Sequence, residues 1–114
     1  MTTKTVILIA SDMLGRGENK PLGSLLIHSF LNTLCAFNEK PASILFMNDG
    51  VKLVAEDSVA VGELKQLEAQ GVEILACGTC LSRLELTDKV AVGQVSNMYD
   101  LTNIMLKGDK VISL

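Results

Sequence analysis

The chain predicts an α/β fold of three layers, α/β/α, with an open, mainly parallel five-stranded sheet between helices. Three observations carry that expectation. Short apolar, β-branched runs alternate with stretches of helical periodicity along the chain. The first run is apolar without alternation, the pattern of a strand covered on both faces. Hydrophobic residues make up 48% of the chain, which a large buried sheet would absorb.

Each element follows from local chemistry. Thr5–Ala10 reads as the first strand, and Ser11–Lys20 as a loop containing Gly15 and Gly17. Pro21 suits the first turn of a helix, where a missing N–H leaves no bond unmade. Leu22, Leu25, Leu26, Phe30, Leu31 and Leu34 then recur at helical spacing to about Asn38. Ala42–Met47 is the second strand. Asn48-Asp49-Gly50 could close a hairpin onto Val51–Val54; the preferred reading is a loop and a short helical turn over Gly50–Ala55. Ser58 or Asp57 caps the next helix, with Val61, Leu64 and Leu67 on one face and Gly71 at its end. Val72–Ala76 is the third strand and Lys89–Val92 a short fourth. Asn97 caps a helix carrying Met98, Leu101, Ile104 and Met105 on one side, closed by Gly108. Lys110–Ser113 is the fifth strand. Ligands of such sheets bind beyond the carboxyl ends of the strands. The loops Ser11–Lys20, Asn48–Gly50, Cys77–Cys80 and Gly93–Asn97 are therefore expected at one edge.

Length and composition exclude several functions. The 114 residues suit one domain, 1–114, with no linker or internal repeat. A chain of this size buries roughly two thirds of its unfolded surface and folds without a disulfide or zinc. No apolar run approaches the roughly 20 residues that span a bilayer, and the stretch after Lys4 is too short for a signal-peptide core. A cytoplasmic protein without a membrane partner is expected. Three cysteines, an odd number, do not suggest a secreted disulfide framework. A net charge of −3 with scattered basic residues argues against a nucleic-acid partner. Phe30, Phe37, Phe46 and Tyr99 are too few to stack bases.

The chemistry concentrates in Cys77-Gly78-Thr79-Cys80, at the junction of the third strand and a short helical stretch. Backbone N–H groups and a helix dipole there favour a thiolate, the form that attacks disulfides, persulfides and soft metals. Cys77 falls near the helix N-cap and Cys80 about one turn inside, so the thiols can meet. Arg83, three residues on, returns its fixed charge to the same face if the helix continues. Gly15, Arg16 and Gly17 are expected to rim the pocket, with Asn48, Asp49 and Asn97 offering hydrogen bonds into it. The plainer reading of these last three is turn-forming and capping. Cys35, on the apolar face of the first helix, reads as core.

Three competing readings fit poorly. A thioredoxin site needs its cysteine pair after an early strand with a proline opposite, whereas two βα units come first here and the only prolines are Pro21 and Pro41. Structural zinc needs four ligands, and there is no second Cys-x-x-Cys. Gly15-x-Gly17 lacks the third glycine of a dinucleotide fingerprint. No metal and no cofactor are expected.

Three stretches resemble the DsrE/DsrF-like superfamily: Gly50-Val51-Lys52-Leu53, Gly71 through Leu81 with its Cys-Gly-Thr-Cys-Leu ending, and Val92-Gly93-Gln94-Val95-Ser96-Asn97-Met98-Tyr99. The resemblance extends to Leu14-Gly15-Arg16-Gly17, Leu22-Gly23 and Phe30 through Leu34, and narrows to the DsrE-like domain of YedF, a sulfurtransferase-like protein of selenium metabolism. It implies a three-layer fold assembled as trimers or hexamers, with sulfur carried as a persulfide on one cysteine after the third strand. Cys77 matches that carrier and Cys80 is the extra thiol of the Cys-Gly-Thr-Cys branch. The implied function is a sulfur carrier or sulfurtransferase-like protein that accepts sulfur, or selenium, on Cys77 and relays it. Gly78 and Thr79 amides and Arg83 would stabilise the anion, and Cys80 would resolve the persulfide. No TusA-like domain lies in these residues, so a TusA-like protein or a small molecule is the expected donor. The alternative is a non-enzymatic module of the same fold that binds a small ligand or a protein and serves in assembly.

Overall fold

The structure, a computed structural model, describes residues 4–114; residues 1–3 of the expected 1–114 domain lie outside the described residues. Its centre is a parallel five-stranded sheet of order β4-β3-β2-β1-β5. The strands are β1 (Thr5–Ile9), β2 (Ser43–Phe46), β3 (Glu73–Cys77), β4 (Gln94–Ser96) and β5 (Lys110–Ser113). The helices are α1 (Lys20–Ala36), α2 (Val61–Ala69), α3 (Gly78–Arg83) and α4 (Met98–Lys107). Two 3₁₀ segments, Asn48–Val54 and Thr87–Lys89, complete the connections.

The layers follow from connectivity. The chain steps from β1 through β2 and β3 to β4, then crosses the whole sheet to β5. Right-handed crossovers put α1 and α2 on one face and α4 on the other. Accordingly α1 packs on α2, and α4 packs on β3. The core holds Val6, Ile7 and Ile9 of β1, all of β2 and most of β3, with Ile27, Leu31, Leu64, Leu67 and Leu101 from the helices. Every residue of β2 is buried, as a central strand with both faces covered requires. Ser43, the one buried polar residue among the described residues, donates its hydroxyl to Glu73 Oε1 at 3.3 Å.

Helix ends are closed by side chains. Asn19 Oδ1 accepts from Leu22 N at 3.0 Å to start α1, and Lys40 Nζ gathers the carbonyls of Leu34, Cys35 and Phe37 at its end. His28 Nε2 meets Glu63 Oε1 at 3.1 Å, tying α1 to α2.

The structure corrects four sequence expectations. The fourth strand is Gln94–Ser96, not Lys89–Val92, so most of the supposed loop Gly93–Asn97 is the strand itself. Val90 instead forms an isolated antiparallel bridge with Ala55. Gly93 turns the chain at φ +80, where a Cβ would stand 2.7 Å from the Ile74 carbonyl oxygen, and Gln94–Ser96 then pair with Leu75–Cys77. The second correction is the cap of α2. Ala60 occupies that position, while Ser58, two residues earlier, accepts from Ala60 N through its Oγ at 3.0 Å.

Third, the apolar stripe of α1 does not all face inward. Gly23, Ile27 and Leu31 are buried, while Leu22, Leu25 and Leu26 remain 49%, 62% and 41% exposed. At 3.6 residues per turn the chosen leucines span too wide an arc for one sheet face. Fourth, Met98 of α4 is also exposed, leaving Leu101 as the anchor of that helix. The short helical turn after β2 does form, over Asn48–Val54, in place of the hairpin.

Candidate functional site

Cys77 ends β3, and the next residue begins α3, so the change of direction presents the cysteine pair at the carboxyl edge of the sheet. Cys77 is the N-cap residue and only 2% exposed. Its strand partner is Ser96 of β4. Cys80 lies in the first turn of α3, half-buried and close enough to the Cys77 thiol to feel it electrostatically. Neither forms a disulfide. The Asn48 backbone N–H donates to Cys80 Sγ at 3.1 Å. Asn48 holds a left-handed φ of 50 at the start of its 3₁₀ segment, a conformation that asparagine tolerates better than most residues.

The electrostatics differ from the thiolate expected at this junction. Burial pushes the Cys80 thiol above its ordinary 9.0; the Asn48 amide pulls it down, and the adjacent Cys77 thiol pushes it further up. With six residues, α3 contributes little dipole to offset the desolvation. Cys80 therefore rests as a neutral thiol at neutral pH. Cys35, away from this site, is also raised by burial first and by the Glu63 carboxylate second; its thiol lies 3.5 Å from the Glu63 carbonyl oxygen.

The remaining site candidates divide. Gly78 serves close packing, since a Cβ there would lie 3.1 Å from Ser96 O and 3.2 Å from Val95 Cγ1. Thr79 is exposed on the first turn of α3. Arg83 ends α3 one turn beyond Cys80, exposed and without an ion-pair partner among the described residues. Asn48 joins the cysteines through its main chain rather than its side chain. Asp49 pairs with Lys52 at 3.4 Å. Asn97 caps α4 by accepting from Asp100 N at 2.8 Å. Gly15, Arg16 and Gly17 line a separate hollow of about 250 Å³ with Asn19 and Leu22, which no cysteine touches. The expected single pocket is thus split.

One feature escaped sequence reading. A cavity of about 380 Å³ lies between α1, the 3₁₀ segment after β2 and the chain beyond α3, again without a cysteine. It could not be read from spacing, because its walls come from four separated segments. Among the described residues no group of three or more His, Cys, Asp and Glu could hold a metal ion. No helix among them is long and apolar enough to cross a membrane.

Fold and site together define an open parallel α/β protein with a thiol pair at the carboxyl end of its third strand. The chain belongs to the DsrE/DsrF-like family, whose sequence profile matches residues 23–114. No curated protein matches it in sequence. The ychN protein of E. coli is similar in structure at a TM-score of 0.69, with 20% identity over 99% of this chain and 100% of the other. MTH1491 of Methanobacterium thermoautotrophicum, a protein of unknown function, gives 0.70 with 22% identity over 98% and 99%. BT1422 of Bacteroides thetaiotaomicron, also of unknown function, gives 0.67 with 19% identity over 97% and 95%. At these identities the likeness is one of fold.

Proposed function

We propose that this protein is a sulfur-relay subunit of the YedF-like kind, carrying sulfur, or selenium in the same oxidation state, as a persulfide on the Cys77–Cys80 pair. The observation that carries the reading is the placement of the two cysteines at the end of β3 and the first turn of α3, with the Asn48 amide donating to Cys80 Sγ at 3.1 Å. Cys80 takes the first step, the reverse of the order expected from sequence. Its exposure supports this, since Cys77 at 2% is out of reach of a bulky donor.

The step balances without an external oxidant. Cys80 loses its proton to solvent, and the thiolate attacks the outer sulfur of a donor persulfide, R–S–SH. The donor S–S bond breaks, its electron pair leaves with R–S⁻, and Cys80–S–SH remains. An acceptor thiolate then takes the outer sulfur and returns Cys80 to its thiolate. If Cys77 attacks the inner sulfur instead, a Cys77–Cys80 disulfide forms and hydrosulfide leaves; a dithiol must then reduce the pair. The Asn48 N–H favours the anionic forms, and Arg83, one turn beyond Cys80, would add its fixed charge.

A TusA-like protein is the donor class this reading favours. A homo-oligomer, trimer or hexamer, in the cytoplasm completes it, since thiols stay reduced there and the bare leucines of α1 invite a partner copy. The test is intact mass after incubation with a low-molecular-weight persulfide, for wild type, Cys77→Ser and Cys80→Ser. Wild type and Cys77→Ser should gain one sulfur atom and Cys80→Ser none. An adduct kept by Cys80→Ser and lost by Cys77→Ser would return the first step to Cys77. No adduct on any protein, with Cys80 open to alkylation, would sink the relay reading.

A further inference from the structure

The cavity of about 380 Å³ is one lobe of a larger cleft. Its apolar wall is Ile27, Leu53, Ala55, Leu84 and Leu86, of which the first three are 1%, 6% and 5% exposed. A second hollow of about 160 Å³ adjoins it and shares Asp12, Ser24 and Lys52. That smaller lobe is polar, adding Ser11, Lys20 and Asp49. It lies where the loop after β1, the first turns of α1 and the 3₁₀ segment after β2 converge, the end of a parallel sheet where ligands are bound.

The charges within the cleft are of both signs. Lys52 is engaged by Asp49 at 3.4 Å, whereas Asp12 and Lys20 have no ion-pair partner among the described residues. Asp12 lines both lobes and the exposed Lys20 the smaller one, so a carboxylate and an ammonium group border the cleft, and a ligand with the opposite arrangement would complement them. Its ammonium would face Asp12, its carboxylate would face Lys20 and the Ser24 hydroxyl, and its hydrocarbon would fill the apolar lobe. Of the other charged liners of the large lobe, Asp57 and Lys89 take no part in the smaller polar lobe, and His28 turns to Glu63. The volume stands near the lower end of the roughly 300–1,000 Å³ range of ligand pockets, so the occupant is a small metabolite.

We propose that this two-lobed cleft binds a small zwitterion with an aliphatic body, of which a free aliphatic α-amino acid is the simplest case. The cleft is separate from the cysteine pair, and its occupancy does not depend on the relay reading.

The test is calorimetric titration of the full chain with L-leucine, alongside 4-methylpentanoate, which lacks the ammonium, and isoamylamine, which lacks the carboxylate. Saturable leucine binding in the millimolar range or tighter is expected. Loss of either head group, Asp12→Asn, Lys20→Met or Leu84→Trp should each weaken it at least about tenfold. Cys80→Ser should bind as wild type does. Asp12 and Lys20 lie in or beside the loop after β1 and contribute nothing to the buried core, so their variants keep the fold, and an unchanged melting temperature verifies it. Heats that never saturate, or binding left within about twofold of wild type by the cleft variants or by either analogue, overturn the proposal.

Discussion

Cys77 and Cys80 are three residues apart and chemically identical, yet the fold gives them different surroundings. Cys77 is the last residue of a central strand and inherits its burial, while Cys80 sits one turn out under an amide donor. Cys80 should accordingly react with iodoacetamide much faster than Cys77, with a half-maximal rate above pH 9, read by peptide mass mapping across pH. The same shift bears on stability. The folded Cys80 thiol binds its proton more tightly than the unfolded one, whose ordinary value is 9.0. Its contribution is therefore complete below pH 9 and lost as pH rises through the folded value. Urea unfolding should show stability falling in that alkaline window, with a shallower fall in Cys80→Ser. Another residue-scale strain lies at Glu85, which follows α3 at φ 59. Glycine adopts that conformation freely, so Glu85→Gly should raise stability by about 1 kcal/mol in urea unfolding. The cysteine motif was legible because spacing is local. The Asn48 amide was not, since a backbone contact across 32 positions leaves no side-chain signature.

At the level of elements, the 3₁₀ segment Asn48–Val54 positions the amide that meets Cys80, and Gly50 lets it dock. A Cβ on Gly50 would lie 2.2 Å from the Ile9 carbonyl oxygen and 2.9 Å from its carbonyl carbon, both main-chain atoms of β1 that cannot swing aside. Gly50→Ala should therefore cost about 1–3 kcal/mol in urea unfolding and should also alter the alkylation rate of Cys80 by moving Asn48. Most elements were readable to within a residue or two, because apolar runs and helical periodicity are properties of contiguous sequence. The edge strand β4 was not. Gln94–Ser96 is three residues long and largely exposed, whereas the more strand-like Val90 and Val92 precede it. A strand that short is specified by its neighbour, here Leu75–Cys77, rather than by its own propensity.

Across the whole molecule, the two helix-bearing faces of the sheet are unequally finished. Leu22, Leu25 and Leu26 of α1 stand exposed on one side, and Met98, Tyr99 and Leu106 of α4 are 54%, 83% and 81% exposed on another helix. If α1 is the contact between copies, sedimentation should give a trimer or hexamer for wild type. Leu25→Glu with Leu26→Glu should shift it towards monomer with little change in helix content, because neither residue belongs to the core. An unchanged mass would exclude α1 as that contact. The sequence alone determined the α/β class, the parallel sheet and the place of the thiol pair at the end of the third strand. These are consequences of pattern along the chain. Tertiary structure alone decided which thiol is reachable, that Gly15, Arg16 and Gly17 belong to a different hollow, and that a two-lobed cleft exists beside α1. Burial and cavities are relations among residues far apart in the chain, and distances of that kind come into being only when the sheet closes.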